Sequence, residues 1–147
     1  MVIRLEQCLA RPPHKGQSFL LQEHLEAVAF DCGNVKGSLE EILAFLAGLL
    51  HDSAKSHPLW QEYIVGNREK GPAHSPLGAA LFAFFADRLI DSWGLGPNLE
   101  QGYYDLTLDW ARVIYNHHGK LQDLESEFPP WEKSGGGSAQ DLNGLEV

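Results

Sequence analysis

Cysteine, basic charge and long apolar runs are all scarce in this 147-residue chain. The two cysteines, Cys8 and Cys32, form no C-x-x-C pair, which excludes a disulfide framework and a thiolate zinc site. Eleven Lys and Arg stand against twenty Asp and Glu, a net charge of −9, so no broad basic face holds nucleic acid by charge alone. The balance is −2 up to residue 73 and −7 beyond it. Ile42 to Leu50 and Leu77 to Ala86 are the longest apolar runs, well short of the roughly 20 residues that cross a bilayer. Met1 to Gln17 lacks the apolar stretch of a secretory leader. These absences together predict a cytoplasmic protein without membrane contact. No segment shows the clean apolar and polar alternation of a strand, and no G-x-x-x-x-G-K-[ST] phosphate loop occurs. What is present, 44% hydrophobic and 21% charged residues, is ordinary globular composition for one domain.

Helical periodicity dominates, and an all-α domain is expected. A first helix over about 18–31 places Leu21, Leu25 and Val28 on one stripe with His24, and Gly33 beyond its end. A second opens with a capping box, Ser38 with Glu41, and is expected to run to about residue 54. Pro58 starts a short third helix through Ile64. Ser75 and Pro76 give an N-cap and first-turn proline for a long helix ending near Trp93 and Gly94. Its run from Leu77 to Phe85 is apolar almost all round, which predicts a central, buried helix. A fifth helix over about 100–118 turns Leu106, Trp110, Val113 and Ile114 inward, with Gly119 as its cap. Residues 1–130 form the expected domain, and 131–147, with Ser134 to Ser138 rich in Gly, read as a tail or linker.

Chemistry concentrates in the histidines. His51 and Asp52 end an otherwise apolar helix, and Gly48, four residues before Asp52, lets another helix approach. His117 and His118 sit together at a helix end, where the helix dipole favours a cation. His74 stands just before the N-cap of the fourth helix, and His24 lies on an apolar stripe. Alone, His24, His51 and His74 read more readily as core or surface histidines and His117-His118 about evenly, but the set lies on four helix faces or ends of a chain with one core. Imidazole and carboxylate ligate first-row divalent metals, and a carboxylate bridges two. His14 and His57, each beside a proline, read as solvated surface residues.

The ordered strings His24-Leu25-Glu26-Ala27, Gly48-Leu49-Leu50-His51-Asp52-Ser53-Ala54-Lys55, Trp60-Gln61-Glu62-Tyr63-Ile64, His74-Ser75-Pro76-Leu77-Gly78 and Asn116-His117-His118-Gly119 resemble the HD metal-dependent phosphohydrolases. Within them they are most similar to the HD nuclease domain of the CRISPR-associated nuclease-helicase, over about residues 20–121. The resemblance implies a compact HD helical bundle with a metal centre in its core, and hydrolysis of single-stranded DNA during CRISPR interference. It implies partners as well: a helicase domain or subunit and a guide-RNA effector complex. Carried over, His24, His51 and Asp52 hold one metal; Asp52, His74, His117 and His118 hold a second. Lys55 faces the scissile phosphate, so Asp52 and Lys55 are the catalytic candidates. The family's motif ends its Ser53-Ala54 equivalent in Gly, and its late Asp ligand lies farther along. Neither Asp123 nor Asp141 is assigned to that role.

Three imidazoles and one carboxylate form a site that hydrated magnesium fills reluctantly, so two manganese, nickel, cobalt or iron ions are expected before magnesium or zinc. Oxygens from Asp123, Glu125 and Glu127 would shift that preference back. Two other readings stand beside the nuclease: an HD phosphohydrolase of nucleotides or cyclic dinucleotides, and a noncatalytic metal-stabilised interaction module.

Overall fold

The computed structural model of the chain describes residues 4–118. Gly119, the late acidic residues and the expected tail at 131–147 lie outside the described residues. Helix dominates as expected, but the all-α expectation needs one correction. Leu9–His14 (β1) and Gln17–Leu20 (β2) pair as an antiparallel hairpin. Lys15 and Gly16 make its two-residue turn, with φ of 48° and 78°, the positive-φ pair of a primed hairpin turn. Register shifts on both sides of Arg11 break the period-two pattern, which is why alternation does not reveal these strands.

Five helices follow: α1 Leu21–Cys32, α2 Leu39–Leu50, α3 Pro58–Ile64, α4 Ser75–Ser92 and α5 Pro97–Asn116. α1 continues directly from β2, and the Leu21 N–H, one of its uncapped donors, donates to Cys8 O at 2.8 Å. The capping box forms on α2, with Ser38 Oγ accepting from Glu41 N and the Glu41 carboxylate accepting from Ser38 N. α2 ends four residues earlier than the sequence predicts. Asp52 leaves helical geometry at φ −112°, ψ 8°, Ser53 Oγ donates to Leu50 O, and the chain tightens into a 3-10 turn over Ser53–Ser56.

The core lies between α2, α4 and α5, where Leu43, Ala47, Ala79, Phe82, Ala86, Ile90 and Ile114 are buried. Fully burying a residue such as Leu43, Phe82 or Ile90 contributes about 1.5–3 kcal/mol. A smaller cluster of Cys8, Ala10, Leu21 and Leu25, with Leu49 against it, seats the hairpin on α1. α4 is not buried all round: Leu77, Phe84 and Phe85 are about half exposed, because neighbouring helices cover only the stripe from Ser75 to Ile90. Val113 also faces outward, whereas Ile114 is buried as expected and Thr107 is buried with it.

Two glycines set the approach of the helices. A Cβ on Gly48 would lie 2.8 Å from Ala29 Cα and Val28 O, so α1 crosses α2 there at backbone contact. A Cβ on Gly78 would run into the carbonyl of His51, and this contact lays the first turn of α4 over the end of α2. Gly78→Ala gains helix propensity yet is expected to destabilise the fold by about 1–3 kcal/mol through overpacking. Denaturant unfolding checks this; a stabilised variant would refute the close approach.

Candidate metal centre

The glycine contacts and helix ends bring six of the seven singled-out residues around one carboxylate, Asp52, which is 2% exposed. Its two oxygens face different partners. Oδ2 lies 3.3 Å from His24 Nε2, 3.4 Å from His51 Nε2 and 2.7 Å from Lys55 Nζ. Oδ1 lies 3.2 Å from His74 Nε2, 3.0 Å from His117 Nε2 and 3.7 Å from His118 Nε2. The donors thus fall into two groups able to hold a metal ion, His24, His51 and Asp52 in one and Asp52, His74, His117 and His118 in the other.

The imidazoles are prepared as ligands. His51 Nδ1 is 2.6 Å from Gly48 O, and His117 Nδ1 is 2.5 Å from Ile114 O. A carbonyl only accepts, so in each ring Nδ1 carries the proton and, in the neutral form, the Nε2 lone pair points at Asp52. A lone pair against a carboxylate oxygen at 3.0 Å is repulsive unless a proton or a metal ion joins them. His74 Nε2 is buried without a hydrogen-bond partner among the described residues: Asp52 Oδ1 is near but makes no hydrogen bond with it. This orphaned nitrogen and the mixed nitrogen and oxygen donor set fit a borderline divalent metal. The carbonyl ends of α2 and α5 also favour a cation there.

Burial alone would raise the Asp52 carboxyl, but hydrogen bonds from His117, His51 and Lys55, with the Lys55 charge, hold it far below the usual carboxylate range. Burial pushes His74 down to about 4, against the pull of Asp52, and burial also lowers His24 and His118. His117 moves the other way, raised by its hydrogen bond to Asp52. Because His74 binds a proton more weakly folded than unfolded, its contribution to metal-free stability is present above about pH 6.5 and lost as pH falls toward 4. Thermal melts in chelator are expected to show this acid loss, with a shallower slope in His74→Asn; an unchanged slope would contradict it. His117 contributes oppositely, stabilising below its unfolded value and losing that as pH rises through its raised one. With metal present, the group containing His117 should lose its ion first on acidification, because His117 protonates most readily among the shifted imidazoles.

Lys55 is 8% exposed, not a solvated helix-end lysine. It contacts Asp52, and its Nζ lies 5.0 Å from the centre of the Trp60 ring. The Trp60-Gln61 string has a structural role. The buried Gln61 side chain accepts from Leu9 N at 2.8 Å and donates to Leu9 O at 3.0 Å and Lys55 O at 2.8 Å, tying β1 to the turn that carries Lys55. His57 caps α3 by accepting from Leu59 N, and His14 sits exposed in β1, so neither joins the cluster.

Sequence reasoning missed the hairpin's part in the site. Arg11, Phe19 and Glu23 line the cavity over His24, Asp52 and Lys55. The signal available was Lys15-Gly16 as a two-residue turn. No helix among the described residues is long and apolar enough to cross a membrane. Comparison with protein-family models, with curated proteins and with solved structures finds no match to this chain.

Proposed function

We propose that the chain is an HD-type metal-dependent phosphodiester hydrolase, a nuclease acting on single-stranded DNA in CRISPR interference. In this reading a helicase domain or subunit and a guide-RNA complex expose the strand. One observation carries it: the two oxygens of a single buried carboxylate are turned to two separate sets of imidazoles. That arrangement suits two divalent ions sharing Asp52, with His24 and His51 on one side and His74, His117 and His118 on the other. Such a pair, when bound, would lower the pKa of water and neutralise charge on the attacking and leaving oxygens of a phosphodiester.

The chain's own groups do the rest. Backbone carbonyls of Gly48 and Ile114 fix the rings of His51 and His117. Lys55 balances the Asp52 charge and stands at the cavity wall as the cation nearest the cluster among the described residues. Asp52, already ionised across the physiological range, needs no deprotonation to accept a metal.

Two adjoining cavities beside the cluster favour a strand over a free nucleotide. A cavity of about 620 Å³ runs along Phe19, Glu23, His24, Asp52 and His118, and a second of about 390 Å³ runs along Trp60, Tyr63, Pro72 and His74. The two share Ala10, Arg11, Lys55 and His118 as lining, so they adjoin at these residues beside the cluster. The test is incubation of the purified protein with single-stranded DNA, duplex DNA and a nucleotide panel, each with manganese, cobalt, nickel or magnesium. Cleavage of the single strand with the first three, and weaker cleavage with magnesium, is expected. Turnover of nucleotides without DNA cleavage would replace this reading with the nucleotide phosphohydrolase.

A further inference from the structure

Arg11 is the one cation of the hairpin that faces both cavities. Its guanidinium carbon lies 3.5 Å from the centre of the Phe19 ring, and Arg11 and Phe19 are register partners across β1 and β2. The irregularity between Leu9 and Arg11 puts two residues of β1 against one of β2, a bulge of the kind that re-aims a side chain beside a functional site. Gln61 then clamps Leu9 to the Lys55 turn, so the hairpin is fixed relative to Asp52. Lys55 spends its charge on Asp52, whereas Arg11 has no carboxylate within ion-pair distance among the described residues. An arginine held flat on an aromatic ring keeps its donor edge free and oriented, and that edge matches a phosphate.

We propose that Arg11, stacked on Phe19, is a phosphate-positioning residue that grips a non-scissile phosphate of a single-stranded nucleic acid lying across the two adjoining cavities. The inference rests on the nuclease reading and adds a binding register to it. Arg11 orders the strand relative to the cluster, and in a chain of net charge −9 it supplies local positive charge beside the site. Losing one phosphate contact lowers affinity by roughly tenfold. It also flattens the dependence of log affinity on log salt by about 0.7, the share of one phosphate on a single strand.

Binding of a fluorescent oligothymidylate is measured by anisotropy across a salt series, for the wild type and for Arg11→Gln, Arg11→Lys and Phe19→Leu, with thermal melts to verify folding. Cleavage of the same strand with manganese gives KM and kcat. Arg11→Gln is expected to bind about tenfold more weakly, with the flatter salt slope and a raised KM. Arg11→Lys should restore the slope, because the charge returns, but not the full affinity, because the stacked fork does not. Phe19→Leu should weaken binding with its slope intact. A wild-type slope and affinity in folded Arg11→Gln, with DNA still cleaved, would overturn the subsite and leave the nuclease standing. Failure of the wild type both to bind and to cleave the strand would overturn the nuclease reading and the subsite with it.

Discussion

Asp52→Ala is expected to lower metal-dependent hydrolysis by about a thousandfold or more, since several kcal/mol of transition-state charge stabilisation go with the shared ligand. His24→Ala removes a donor from one group only and should leave measurable activity. The asymmetry follows from geometry, because Asp52 Oδ2 serves His24 and His51 while Oδ1 serves His74, His117 and His118. Removing the carboxylate also strands the buried Lys55 ammonium, and breaking such a pair costs about 3–5 kcal/mol. Asp52→Asn keeps the shape and one acceptor, so it separates loss of chemistry from loss of fold. Steady-state rates for the three variants, with melts alongside, read this out. Equal residual activity in Asp52→Asn and His24→Ala would refute the bridging role.

The second large effect is stabilisation by metal. A ligand at a hundredfold its Kd stabilises the folded state by about 2.7 kcal/mol per site, or roughly 10 °C in Tm for a domain of this size. Manganese, cobalt, nickel or iron should therefore raise the melting temperature by that order, and chelator should reverse it. Magnesium should do less, because the five ring nitrogens facing Asp52, four of them within 3.4 Å, are donors that it accepts poorly. The rise should shrink as pH falls and the imidazoles protonate, starting with His117. A shift of equal size with magnesium, or none with any ion, would count against the donor assignment.

Much of the site was legible because its residues sit at helix ends, and helix ends are written locally. Ser38 and Glu41 announce α2, Pro76 opens α4 in its first turn, and a short chain brings such ends together; Pro97, which opens α5 three residues before the expected start, is a signal of the same kind that the expected boundary does not use. Gly48 predicts a close crossing that the structure contains. The hairpin was not legible, because Pro12 and Pro13 in β1 argue against a strand, Lys15 is an uncommon residue at positive φ, and the bulges scramble alternation. α4 misled for a different reason. Its run of small and aromatic residues satisfies two faces, but burial is decided by which neighbours exist, and only the face with Gly78, Phe82 and Ala86 has them. His74 serves as the N-cap position itself, one residue from the expected Ser75, within the usual slack of helix boundaries.

The number of metal ions each chain holds decides most directly whether Asp52 serves two of them. Elemental analysis of protein loaded with manganese and then freed of excess is predicted to give two ions per chain for the wild type, one for His24→Ala and none for Asp52→Asn. A wild-type chain that is folded and holds no metal would contradict the centre altogether and leave the histidine cluster as part of a noncatalytic interaction module.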